Sequence, residues 1–353
     1  MRSPPRRGKA QSVLQTWSDL LAETTRRELI ERVHQGELVR IASGMYVDGL
    51  DLSGRPEQIH LVKVRAHAQR CAHVVSHVSA AVLHGLPVPA ADLTEVHFSR
   101  PGSSGNDLVG DRRLHAGCPA EEWLTEVDGI RVTNIARTLI DLARTEPHLA
   151  SVAASDAALH RGLTDPAELV KAFESELRWV GSPFARKALK DADGRAESPG
   201  ETWARLALRG LQPGHELQFD VYDEAGRFVA RADGGYPDRG LIWEYDGQGK
   251  YEELRDPGIT REEVVARQQR REQRLIRLGW KVVRANHEDL SAKDGFRHRV
   301  AQELWPTSSA DWRPPRGSYE VMAPLRVDIR DPIQWGAAMR AEIAERWNRR
   351  KHG

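Results

Sequence analysis

Between residues 13 and 48 the apolar positions come in short clusters that change period partway. They predict a helix, a short helix, a third helix and then a hairpin. Leu29, Ile30 and Val33 give the third helix its apolar face, and Arg26, Arg27 and Arg32 its charge. Thr24 and Glu28 are start signals, and Gly36 ends the helix. Leu38–Ile41 and Met45–Val47 read as two short strands around Ala42-Ser43-Gly44.

Further along, residues 74–87 mix a helical apolar pattern with His77 and His84. No carboxylate or cysteine accompanies these histidines at ligand spacing, so they read as packing or hydrogen-bonding side chains. Residues 94–102 read as a strand and turn, and residues 129–143 as a strand followed by a helix with Asn134 near its cap. Residues 155–164 are helical up to Gly162. The small, polar run of residues 191–200 reads as a linker at a domain boundary. Beyond it the pattern predicts a helix, three antiparallel-type strands, a helix over 262–278, a strand over 280–284, and a further helix opening at His287. The third of the three strands covers 241–245. Alternation puts Leu241, Trp243 and Tyr245 on one face, and Ile242, Glu244 and Asp246 on the other. An amphipathic helix over 333–350 closes the chain, with Trp335, Met339, Ile343 and Trp347 four residues apart.

The expected fold class is therefore α+β and multidomain. Its parts are a basic disordered arm (1–12), a winged helix (13–48), a mixed α/β middle domain (49–190), a linker (191–200), a mixed sheet flanked by helices (201–303) and a C-terminal extension (304–353). In a winged helix one helix can enter the major groove while the wing touches the DNA backbone. That places Arg26, Arg27, Arg32 and Arg40 as candidate DNA contacts. Arg2, Arg6, Arg7 and Lys9 of the arm could touch phosphates, although a solvated tail gives the same composition.

Bulk properties narrow the field. The 353 residues carry a net charge of +1, so any attraction to nucleic acid must be local. Two cysteines exclude a disulfide framework and a cysteine zinc site. No apolar run is long enough to span a membrane, and the basic N-terminus lacks the apolar core of a secretory signal. The expectation is a cytoplasmic protein without a membrane partner.

The candidate chemistry lies between residues 233 and 250. Asp233, Glu244 and Asp246 surround one predicted hairpin, with Lys250 just beyond. Carboxylates at the ends of apolar strands are costly to bury unless paired or bound to a cation. Neighbouring like charges raise the pKa of at least one partner, and a divalent cation removes that penalty. Mg²⁺, or Mn²⁺ in its place, takes hard oxygen ligands and keeps waters, leaving room for a phosphate. Lys250 could stabilise charge on that phosphate. Asp246-Gly247 is also an ordinary turn pair. Basic residues outnumber acidic ones between 261 and 284, where Arg267, Arg270, Arg271 and Arg274 could face phosphates. A solvated helix face is the competing explanation.

Two resemblances sharpen these readings. The segments SHVSAAVLHGLP, VHFSRPG, VTNIARTLIDLA and SDAALHRGL, with the preceding winged-helix pattern, resemble the actinobacterial branch of the AbiEi family of antitoxin-type proteins. That likeness covers roughly residues 13–190. It implies a DNA-binding module, a transcriptional role, a place in phage-defence or toxin–antitoxin loci, and a cognate toxin as a partner. Residues 198–290 resemble the PD-(D/E)xK nuclease superfamily, most closely its branch similar to very-short-patch-repair endonucleases. The likeness rests on SPGE, RAD, WEYDG, QRREQRLIRLGWKVVR and HEDL. It implies a restriction-endonuclease-like domain that hydrolyses DNA phosphodiesters with Mg²⁺ or Mn²⁺. Asp233 and Glu244 would be metal ligands and Glu201 an accessory acid. One departure stands out: the motif places lysine two positions after the second acid, where this chain has Asp246. Lys250 would have to substitute from the turn. The alternative is a non-catalytic, antitoxin-like regulator that binds DNA or a partner toxin.

Overall fold

The computed structural model describes residues 14–49, 54–102, 105–175, 179–247, 260–292, 295–305 and 313–329. The arm at 1–12, Lys250 and the helix expected over 333–350 lie outside the described residues. The chain is α+β and is built around three separate sheets.

The first sheet is small. Strand β1 (Gln15–Thr16) leads into α1 (Trp17–Glu23), α2 (Arg26–His34) and the hairpin β2 (Leu38–Ala42) and β3 (Met45–Asp48). Thr16 and Asp19 form a reciprocal capping box that starts α1. The Thr25 hydroxyl accepts the Glu28 N–H and starts α2. Gly36 has a φ of 75°, the left-handed conformation that ends a helix without a Cβ clash. Two helices stand where the apolar pattern predicted three. Gln15 and Thr16 are extended instead, because they pair with Tyr46 and Met45. Leu20, Leu29 and Leu38 are buried beneath Trp17 and Tyr46 and hold the unit together.

The middle region holds α3 (Pro56–Ala68), β4 (Val74–Val75), α4 (His77–Leu83), β5 (Val96–Arg100), β6 (Asp107–Val109), β7 (Arg112–Ala116), β8 (Leu124–Val127) and β9 (Ile130–Thr133). It continues with α5 (Ile135–Thr145), α6 (His148–His160), α7 (Pro166–Ser175) and α8 (Ser182–Asp191). Its six strands run in the order β6-β7-β5-β4-β9-β8. The Asn134 side chain caps α5, as its sequence position suggested. From Ala136 to Ala143 every residue of α5 is buried, which makes it the central helix of the apolar core.

Residues 191–196, within the run read as a linker, are buried. The Asp156 carboxylate accepts the Asp193 N–H at 2.7 Å. Asp193 is bound in turn by Arg195 and Arg326, each at 2.8 Å. Charge pairing keeps this polar stretch inside the protein.

The third sheet follows α9 (Pro199–Ala207). It consists of β10 (Glu216–Tyr222), β11 (Phe228–Tyr236), β12 (Leu241–Tyr245), β13 (Lys281–Ala285) and β14 (Ser318–Val321). The order is β13-β12-β11-β10-β14. All pairs are antiparallel except β12–β13, which is parallel. That pair is joined through α10 (Arg261–Arg277), in keeping with the crossover a parallel connection needs. α11 (His287–Ser291) and α12 (Gly295–Leu304) complete the unit. Strand β14 lies in the stretch expected to be a C-terminal extension, and it pairs with β10.

The sheet is covered on both faces. Leu241 and Trp243 pack with Ala204 and Leu208 behind α9, and with Phe296 and Val300 of α12. Ile242 packs with Leu275 of α10 on the other face, beside Phe219 and Trp280. The alternation expected along β12 is therefore realised.

Candidate functional site

Two surfaces carry the candidate chemistry. The first is α2 with its adjoining hairpin. Leu29 is the buried residue of this helix, while Arg26, Arg27, Ile30, Glu31, Val33 and His34 are all exposed. Among the described residues Arg26 and Arg27 make no ion pair. Arg32 sits 3.8 Å from Glu37. Arg40 folds over its own hairpin, donating through Nε to the Ala42 carbonyl at 3.4 Å. Arg70, from the end of α3, donates to the Ser43 carbonyl at 2.7 Å and so braces the hairpin tip. Of the four arginines expected at DNA, Arg26 and Arg27 project freely, and Arg32 and Arg40 are tied to their own unit.

The second surface lies at the ends of β11 and β12. Here the strands depart from simple alternation. Gln218 has a φ of 47°, and it sits between the Leu217–Gly234 and Phe219–Ala232 pairs. Leu217 faces α9, whereas Phe219, two residues on, faces α10. Ala232 and Gly234 change face in the same way: Ala232 joins the α10 side, and a Cβ on Gly234 would meet Trp243. The kink lets the Gln218 amide donate to Glu201 Oε2 at 3.0 Å.

Glu201 is buried in the first turn of α9. It also accepts the Glu197 N–H at 2.9 Å and the Ser198 hydroxyl at 2.8 Å. Its carboxyl is nonetheless pushed up to about 7, first by burial and then by the neighbouring Asp233 charge. Asp233 accepts the Tyr245 N–H at 2.8 Å. Glu201 and Asp233 thus form one acidic pair on the α9 side.

Glu244 is committed elsewhere. It is 3% exposed and projects toward α10. There Arg271 donates to Oε1 at 2.5 Å, and Arg284 Nε lies 3.5 Å from Oε2. Arg284 also reaches Asp246 at 3.9 Å and Glu272 at 2.8 Å. The contact between Arg284 Nε and Glu244 Oε2 is one of charge alone, since neither atom has a hydrogen-bond partner among the described residues.

The four sequence-predicted acids therefore divide. Glu201 and Asp233 come together, while Glu244 and Asp246 join an arginine network. Among the described residues no group of three His, Cys, Asp or Glu side chains gathers in a way that could hold a metal ion. The donor set fits a divalent cation only in part, because two guanidiniums already neutralise Glu244.

Comparison with known proteins places the chain among relatives. The uncharacterized proteins MT2308 and Rv2248 of Mycobacterium tuberculosis are each 31% identical to it over 288 residues. The aligned region covers 79% of this chain and 97% of each relative. The chain belongs to the family of these mycobacterial proteins. No protein-family model matches it. The identity extends over too much of the chain to be carried by one unit alone.

Several residues of this family member were not singled out from sequence. Arg284 was read as the end of a strand, yet the parallel register sets it beside Glu244. Gln218 gave no sign of its left-handed backbone. Neither His97 nor His115 was linked to His77. In the fold His77 and His115 stack with ring centroids 3.5 Å apart, and His97 Nδ1 lies 3.1 Å from His115 Nε2. Burial holds His97 near 3 and His115 near 4, and His77 well below the usual histidine range. His84 bonds the Thr133 carbonyl at 2.7 Å, in line with a hydrogen-bonding role. No described helix is long and apolar enough to cross a membrane.

Proposed function

We propose that the protein is a DNA-binding regulator of the antitoxin type, with a winged-helix N-terminal unit and a C-terminal unit of nuclease-like architecture that acts without hydrolysis. The observation that carries this reading is the outer face of α2, which is exposed along its length and free at Arg26 and Arg27. A helix so presented beside a hairpin suits the major groove, with arginines on phosphates or guanine edges. Ile30, 44% exposed among these cations, suits a thymine methyl group. The arginine pairing of Glu244 supports the non-hydrolytic part. A cognate toxin is a second partner under this proposal, suggested by the AbiEi-like segments.

The test is duplex DNA binding as a function of salt. The Arg26→Ala, Arg27→Ala double variant should bind more weakly, with a slope of log affinity against log salt lower by up to about 2. An unchanged slope would remove α2 as the contact.

A second reading, metal-dependent phosphodiester hydrolysis, is favoured by one observation: Asp233 lifts the carboxyl of Glu201, as neighbouring carboxylates do where a cation or a proton is shared. Under this reading Glu201 and Asp233 would hold Mg²⁺ or Mn²⁺, which supplies Lewis acidity when bound. Mn²⁺ should then raise the melting temperature of the wild-type protein, and Asp233→Asn should abolish that rise. No Mn²⁺ effect on wild type would count against it.

A further inference from the structure

Helix α10 divides its arginines between two tasks. Arg271 turns inward to Glu244, and the neighbouring Glu272 receives Arg284 of β13. Leu275 is buried between α10 and the sheet. These contacts seat the helix. Arg267, Arg270, Arg274 and Arg277 are exposed. Their spacings of three, four and three residues align them along one flank of the helix. None of the four has an acidic partner among the described residues. Arg270 and Arg274 direct a guanidinium N–H to backbone carbonyls, of Ala266 and Phe228, which leaves their charge uncompensated. From Arg267 to Arg277 the row spans about 15 Å, close to the rise of four base pairs along a DNA strand.

We infer that this row is a phosphate rail: a sequence-independent contact for the backbone of duplex DNA, held in place by the inward pairing of Glu244 with Arg271. The inference rests on the DNA-binding reading above and adds a second contact surface to it. It also gives Glu244 a positioning role. Four like charges in a row repel one another, and an unpaired row of this kind is stabilised when a polyanion releases its counterions on binding. The planar guanidinium suits phosphate oxygens, and arginine keeps its charge throughout the physiological pH range. The intervening Gln269 and Gln273 are exposed and uncharged, and Glu263, four residues before Arg267, is engaged by the Thr260 N–H at the start of the helix, at 3.0 Å.

The experiment uses the full chain and a mixed-sequence duplex long enough to reach both α2 and α10. Replacing Arg267, Arg270, Arg274 and Arg277 together by glutamine should lower the salt slope by about 2 to 4. The matching lysine variant should keep the wild-type slope, because the contact needs charge more than shape. The glutamine variant should melt like wild type, since all four side chains are exposed. Glu244→Gln should lower affinity with a smaller change in slope, because it frees the helix without removing the row. A glutamine variant with the wild-type slope overturns the rail and would leave an acidic protein surface as the occupant of these charges. The α2 double variant is measured alongside. If it leaves the slope unchanged while the α10 variant lowers it, the α2 reading fails and the rail stands. If the α2 variant alone lowers the slope, the rail fails and the α2 reading stands.

Discussion

Arg271 Nη2 and Glu244 Oε1 lie 2.5 Å apart across the interface between α10 and β12. A carboxylate with 4% side-chain exposure meets a guanidinium with 36%. The two ends of this pair should therefore respond differently to mutation. Arg271→Met leaves a buried carboxylate with only the loosely aligned Arg284 beside it. Glu244→Gln leaves two arginines that can still reach water. Arg271→Met should cost about 2–4 kcal/mol in urea unfolding, and Glu244→Gln about 1–2 kcal/mol. If the glutamine variant were the less stable of the two, Glu244 would not be the buried, dependent partner.

The Glu201–Asp233 pair makes a separate prediction. The carboxyl of Glu201 stands at about 7, and the charge of Asp233 is its second cause after burial. Asp233→Asn should move the titration of Glu201 downward, followed by carbon-13 NMR of the side-chain carboxyl. In linkage terms the folded state holds this proton more tightly than the unfolded chain does. Its contribution is therefore present below the ordinary glutamate range and is lost as pH rises through 7. A Glu201 midpoint that ignores the asparagine would mean the two groups do not share a field.

The stacked histidines work in the opposite sense. His97 near 3 and His115 near 4 lie below the ordinary histidine value of 6.5. The folded state thus keeps them neutral while the unfolded chain protonates. Their stabilisation is complete above 6.5 and is lost as pH falls from there toward about 4 for His115 and about 3 for His97. Arg113, Arg137 and Arg144 lie close enough to disfavour added positive charge, with Asp141 opposing them at His115. Replacing His115 with Gln should flatten the fall in unfolding free energy between these limits. Equal acid sensitivity in the variant and wild type would exclude the cluster as its source.

Packing around the acidic pair sets a steric limit. A Cβ at Gly200 would fall 1.9 Å from Tyr245 Cε1. Helix α9 therefore approaches β12 through a residue with no side chain. Gly200→Ala should destabilise the protein by about 2 kcal/mol or more, as overpacking forces the ring to move. Because Gly200 adjoins Glu201, the same change should draw Glu201 away from Asp233 and lower its titration midpoint. A variant of wild-type stability would contradict this close approach.

Much of this was legible in the chain. Caps and apolar period together located α2, α5 and α10 to within a residue or two, because those signals act between near neighbours. The faces of β12 followed from alternation alone, since Ile242 and Glu244 do point away from Trp243. The acids were found as residues, but their grouping was not. Alternation presumes regular strands, and the left-handed Gln218 breaks that regularity opposite Asp233. The burial of residues 191–196 was not legible for a related reason. Asp and Arg in a Gly-containing run look solvated unless their partners, Asp156 and Arg326, are known.

The sequence by itself determined the α+β class, the order of helices and strands from α9 to α11, and the set of charged residues available for function. These depend on local period, caps and turns, which reach only a few positions along the chain. Only the tertiary structure decided which charges face each other. It set Arg284 beside Glu244 by parallel register, sent Arg271 inward and left Arg267, Arg270, Arg274 and Arg277 outward. The reason is physical: the cost of a buried charge depends on the partner that reaches it, and partners far apart in sequence meet only when the sheets and helices close.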